Sequence, residues 1–318
     1  MWHPRAYLPQ KEHKMKTGVI SEDFQRAFGD EGRFGNKKIF DGIKAIGFDG
    51  VDYTIGYTGH CQDPIFSEAR GVWVKKFGDV AAALRSSGLT AFQTHATFPT
   101  DRFAPGEFDE KCLDLFRKEI EVTAMLGAPY IVIHPINIAV NRRRKDEDFA
   151  ANMRAFEMLD LVLSEFGVKL GVENMFVWDS VRHRNCPTGC SAPEDMIAYI
   201  DGAHSPNFVG CLDTGHMFIN AIEPAEAVRT LGSRLKLLHV HDNDGSHDLH
   251  AAPGTGKIDW ADFARALGEV GYDGAMCLET SFKPAGNIAP ELMWDYARYA
   301  YAVARKIADI AEATPKKA

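Results

Sequence analysis

The sequence predicts a single-domain (β/α)8 barrel, an α/β fold of the TIM type, from two observations. Eight short β-rich runs alternate with amphipathic stretches along 318 residues, and ionisable side chains stand at the C-terminal ends of the last six runs. Strand, helix, strand at this spacing implies parallel pairing through right-handed crossovers. Eight repeats suit a closed barrel better than an open doubly wound sheet. That alternative would want a glycine-rich phosphate turn after its first strand, and none is present.

Residues 1–14 (MWHPRAYLPQKEHK) lack an apolar core of signal-peptide length and read as an N-terminal extension, leaving 15–318 as the barrel. The expected strands are 16–21, 50–55, 90–96, 130–135, 169–174, 208–215, 235–242 and 274–280. Between them, 108–128 reads as a helix with Leu113, Phe116, Ile120 and Met125 near one face and Gly127 at its stop. The stretch 146–167 is a second helix, and 191–203 a third, with Ser191 as cap and Pro193 in the first turn. Asp259 opens a fourth. The last helix, 290–313, has more apolar and aromatic residues than one contact requires; a homo-oligomer interface and packing on the first helix of the same barrel both account for it. No linker interrupts the alternation.

Composition bounds the function. Formal charge is −8 and the pI about 5.8, which disfavours nucleic-acid binding through phosphate neutralisation. The basic run NRRRK (141–145) precedes DEDF and reads as a solvated helix start. No run approaches the roughly 18 apolar residues of a membrane span. Of six cysteines, Cys211 and Cys277 lie in apolar runs as small core residues, and Cys186 with Cys190 forms a lone CxxxC without the second pair of a structural zinc site. With no disulfide framework, a reducing, cytoplasmic setting is expected.

Chemistry in such a barrel belongs to the C-terminal strand ends, which here offer His95, His134, Glu173, Asp213 with His216, His241 and Glu279. His95 and His134 are equally well read as structural, and His239 as core. Alternation places Glu173 over Gly171, Asp213 over Cys211, His241 over His239 and Glu279 over Cys277. Three carboxylates converging in one mouth repel one another unless a cation holds them. Glu173, Asp213, His241 and Glu279 are therefore the expected metal ligands. Their oxygen-rich composition favours Mn²⁺ first, with Mg²⁺, Co²⁺ or Zn²⁺ as alternatives.

At these residues the chain resembles the xylose isomerase-like barrel superfamily, the sugar phosphate isomerase/epimerase group to which endonuclease IV also belongs. GVEN (171–174), LDTGH (212–216), HVHDND (239–244), PGTGKIDW (253–260) and CLET (277–280) carry the resemblance. It implies a divalent-metal-dependent isomerase or epimerase of a sugar, with Glu173 and Glu279 as acid and base across a metal-stabilised enediolate and His216 against the substrate. Ketose 3-epimerases carry an arginine shortly after the HxH, whereas DNDGSHDLHAAPG here has none. Two alternatives share the scaffold. One is a lyase, either a dehydratase or a subunit that cleaves C-glycosides. The other is a zinc phosphodiesterase like endonuclease IV, for which Asp248 and His250 match a DxH and His95, His134 and His216 complete the ligand set. The loop 175–190 is long enough for a lid or binding element. Trp178 there could stack on a sugar or be a buried surface-loop residue, and Arg182 or Arg184 could meet an anion. His250, Lys257 and Lys283 are further substrate-binding candidates, and nothing commits to a phosphorylated substrate.

Overall fold

The computed structural model describes residues 14–27, 37–55, 64–101, 103, 106–137 and 145–317; the segment 1–13, residues 141–144 of the basic run and Cys61 lie outside them. Strands β1 (Thr17–Ile20), β2 (Gly50–Thr54), β3 (Thr90–His95), β4 (Tyr130–Ile133), β5 (Lys169–Glu173), β8 (Phe208–Asp213), β9 (Leu235–His239) and β10 (Met276–Leu278) fall within the eight expected runs. They form one parallel sheet in the order β10-β1-β2-β3-β4-β5-β8-β9. A parallel bridge between Val240 and Leu278 closes it, with Val240 N donating to Cys277 O at 2.9 Å and Glu279 N to Val240 O at 3.0 Å. The fold is a single-domain (β/α)8 barrel. Strands β6 (Phe176–Asp179) and β7 (Arg184–Pro187) pair separately as an antiparallel hairpin inside the segment expected to be a loop.

The strands read as apolar runs because both faces are covered. Val19, Val51, Leu170 and Val172 pack outward beneath the helices. The inward face is built from small residues around a few larger ones. A Cβ on Gly18 would lie 3.1 Å from the Phe92 ring and one on Gly50 would lie 2.5 Å from it, so these glycines make room for that ring inside the barrel. Val132, Cys211 and Leu237 form a separate buried cluster beside Gly171, where an added Cβ would fall 2.4 Å from Leu237 Cδ1. The small residues under Glu173 and Asp213 thus do face the interior.

Helix Glu110–Leu126 starts where Asp109 accepts the amides of Lys111 and Cys112 and stops at Gly127, whose φ is 74°. It buries Phe116 and Ile120, with Leu113 and Met125 half-buried beside them. Asp259 caps helix Trp260–Val270 as expected. The cap of helix Pro193–Gly202 is Ala192, one residue later than predicted. Ser191 accepts Thr188 N at 2.5 Å and donates to Met175 O, while Asp195 takes the amides of Ser191 and Ala192. Helix Leu292–Ala313 buries Ala297, Ala300 and Ala304 against helices Trp260–Val270 and Lys37–Ile46. Trp294 lies so close to Gly42 that a Cβ there would be 2.7 Å from its ring. No described helix is long and apolar enough to cross a membrane.

Candidate metal centre

Glu173 ends β5, Asp213 ends β8, His239 ends β9, and Glu279 follows β10. All but Glu279 are essentially fully buried, and Glu279 is 13% exposed. His239 is the hub. Its Nδ1 is 3.1 Å from Glu173 Oε1 and 3.2 Å from Glu279 Oε2, while its Nε2 is 2.9 Å from Asp52 Oδ2. Asp52 also accepts Gln93 Nε2 at 2.8 Å. Asp213 accepts His216 N at 2.7 Å, which makes it the cap of helix Thr214–Ile219, and faces His241 Nε2 at 3.0 Å.

Ligand atoms of Glu173, Asp213, His239 and Glu279 lie within 4.8 Å of one another, and His241 reaches the same centre through Asp213. His241 joins His216, Asp248 and His250 in a second such group, and His95, His134 and Glu173 make a third. Within these, His134 Nε2 is 3.1 Å from Glu173 Oε2 and 3.0 Å from His95 Nε2, and His250 Nε2 is 3.0 Å from Asp248 Oδ2. Cys186 and Cys190 enter no such group among the described residues. Burial pushes the Cys190 thiol well up.

Electrostatics separate the two glutamates. Burial alone would raise Glu173, but the His239 and His134 rings hold it well below the usual glutamate range. Burial pushes Glu279 well above that range. Burial, with His134 beside it, takes His95 down to about 4. Burial opposes charge on His250, yet the Asp248 carboxylate raises it to about 10.

These donors fit a divalent cation. Asp248 Oδ1 and His241 Nδ1 are buried without a hydrogen-bond partner, and Glu173 Oε2 and Glu279 Oε2 face imidazole nitrogens at 3.1 Å and 3.2 Å. Carboxylate oxygens in so dry a place are costly without a counter-charge. Gly215 gives His241 its place, since a Cβ there would be 1.9 Å from the ring.

A second carboxylate, Asp242, organises the loop that carries Asp248 and His250. Oδ2 accepts Gly254 N (2.9 Å), Gly256 N (2.9 Å) and Trp260 Nε1 (2.8 Å); Oδ1 accepts Asn243 N (2.9 Å) and Ile258 N (3.3 Å). Gly256 must be glycine, because its Cβ would fall 2.3 Å from Asp242 Oδ1. The PGTGKIDW run is thus a wrap around one buried anion. Asp242→Ala would strand these donors and is expected to cost on the order of 3 kcal/mol. Urea unfolding measures it, and a loss under about 1 kcal/mol would mean the wrap holds without its anion.

Above the donors opens a cavity of about 740 Å³ whose lining includes His95, His134, His216, His250, Trp178 and Lys283. His95, His134, Trp178, His250 and Lys283, five of the expected substrate-binding residues, therefore face one space. Lys257 instead donates to Asp244 O, Arg182 is tied to Asp179, and Arg184 is exposed. Asp52 was missed by sequence reasoning, although a carboxylate amid GVDYT was a signal. His239, expected as core, is fully buried among Asp52, Glu173 and Glu279.

A family model for the xylose isomerase-like TIM barrel matches residues 40–298. An uncharacterized protein of Sinorhizobium fredii is 28% identical over 175 residues, 53% of this chain and 52% of its own length, so the chain spans about half of that relative. A D-psicose 3-epimerase of Enterocloster bolteae is 24% identical over 257 residues, 80% of each chain. A probable endonuclease 4 of Natronomonas pharaonis is 28% identical over 239 residues, covering 65% of this chain and 78% of that one. Among solved structures, a D-tagatose 3-epimerase-like protein superimposes with a TM-score of 0.71 at 20% identity, over 94% of this chain and 99% of the other.

Proposed function

The chain belongs to the xylose isomerase-like TIM barrel family, and from that premise we propose that it is a divalent-metal-dependent enzyme that isomerises or epimerises a sugar or sugar derivative. The reading rests on one observation: Glu173 and Glu279 reach a shared centre from separate strands, 3.1 and 3.2 Å from the same imidazole nitrogen. The D-psicose 3-epimerase relative supports the reaction class.

Glu173 and Glu279, which reach the centre from separate strands, are the pair suited to remove a proton from carbon and to return one. Glu173, Asp213 and Glu279, with His241 or His239, would hold the metal, Mn²⁺ first by the oxygen count. When bound, such an ion supplies an electrophile for charge developing on adjacent substrate oxygens. His216, 5% exposed beside Glu173, and neutral His95 are placed to orient hydroxyls, with His134, His250, Trp178 and Lys283 further out.

A second reading, a zinc phosphodiesterase, is favoured by the two extra ligand groups and the probable endonuclease 4 relative. Incubating Mn²⁺-loaded protein with free and derivatised ketoses in D₂O separates the readings. Deuterium at carbon with no group lost is the expected result, and an elimination product would mean a lyase. About three zincs per chain with nicking of abasic duplex DNA, and no exchange, would replace the proposal with the phosphodiesterase.

A further inference from the structure

The active-site cavity has a polar floor and an apolar collar. The floor is the buried carboxylate and histidine set. The collar comes from three separate loops, as Phe98 follows β3, Trp178 lies on β6 and Leu249 follows β9, yet all three line the same mouth. They are 38%, 51% and 49% exposed, and Met175, Phe176 and Val177 continue the surface inward. Single exposed apolar residues are ordinary, but convergence of several on the rim of a site marks a binding surface. Phe98 packs on His134 with ring centroids 4.7 Å apart, and Phe176 on His216 at 5.0 Å, so the collar joins the floor without a gap.

Size and charge narrow the occupant. Twelve heavy atoms of a hexose, at the roughly 30 Å³ each occupied by liquid water, fill at most about 360 Å³, against about 740 Å³ here. The cations that line the mouth are already matched. Lys283 Nζ is 3.7 Å from Asp23, which also accepts the amides of Phe282 and Lys283, and Arg26 pairs with Glu22. A phosphate would meet Glu22, Asp23 and Asp248 as well as these bases.

Resting on the sugar-enzyme reading above, we propose that the substrate is a glycoside that carries a ketone on its ring, since the glycosidic bond locks the anomeric carbon and proton transfer needs a carbonyl beside the C–H. Its sugar ring lies on the carboxylate and histidine floor, and an apolar, preferably aromatic, aglycone lies against Phe98, Trp178 and Leu249. Calorimetric titration of the Mn²⁺-loaded protein with methyl β-D-glucopyranoside, phenyl β-D-glucopyranoside, D-fructose and D-fructose 6-phosphate tests this. The phenyl glycoside is expected to bind about tenfold tighter than the methyl one, and Trp178→Ala to shrink that ratio to about threefold or less. Trp178 is half exposed, so the variant keeps the fold. Equal affinity for the two glycosides, binding of D-fructose alone, or tightest binding of the phosphorylated sugar would overturn the inference and leave the sugar reading standing. No binding of any of the four would overturn both.

Discussion

Glu279→Gln is expected to lower turnover by about 10²–10⁴-fold while the barrel stays folded. The backbone contribution of Glu279, its amide to Val240 O, closes the barrel and survives the change. The side chain keeps its volume and one carbonyl oxygen in the same place. What disappears is the carboxyl group able to transfer a proton opposite Glu173. Deuterium wash-in under single-turnover conditions reads the step itself, and circular dichroism checks the fold. Full turnover in this variant would mean that the second proton comes from elsewhere and that the two-carboxylate scheme is wrong.

Stripping the metal is expected to abolish activity and to lower Tm by about 6 °C, the shift set by a ligand present at roughly a thousandfold its Kd in a domain of this size. Without a cation, Glu173, Asp213 and Glu279 share one buried space with His239 between two of them. Gly215→Ala is the matched probe. Its Cβ would fall 1.9 Å from His241 Cε1 and force the ring away from Asp213. Metal affinity is expected to fall by about 10–100-fold, the range seen when a ligand loses its support. Melting curves with and without chelator check both, and an unchanged Tm and activity would remove the metal from the mechanism.

The barrel was legible because parallel strands covered on both faces leave continuous apolar runs, and each run ended where its ladder ends, within two or three residues. The β6–β7 hairpin was not. FVWDSVRHRNCP has neither an Asn-Gly turn nor clean alternation, and its turn is built instead by Asp179, which accepts the amides of Val181 and Arg182 and pairs with the Arg182 guanidinium. Strand-end position singled out Glu173, Asp213 and Glu279 as residues that share a centre. It chose His241 over His239 on depth, and the two rings face different carboxylates, His239 those of Glu173 and Glu279 and His241 that of Asp213. Asp52 completes the set from across the barrel, a long-range partnership that periodicity does not encode.

Asp242 contributes nothing to the cavity lining, and five donors occupy its oxygens. The glycine-rich stretch that encircles it is therefore a signature of masonry, not of catalysis. A descendant could exchange its reaction, or lose it, and still display that stretch unchanged. Chains sharing the stretch are thereby shown to share a building plan, and what each one makes must be sought in the side chains around His239.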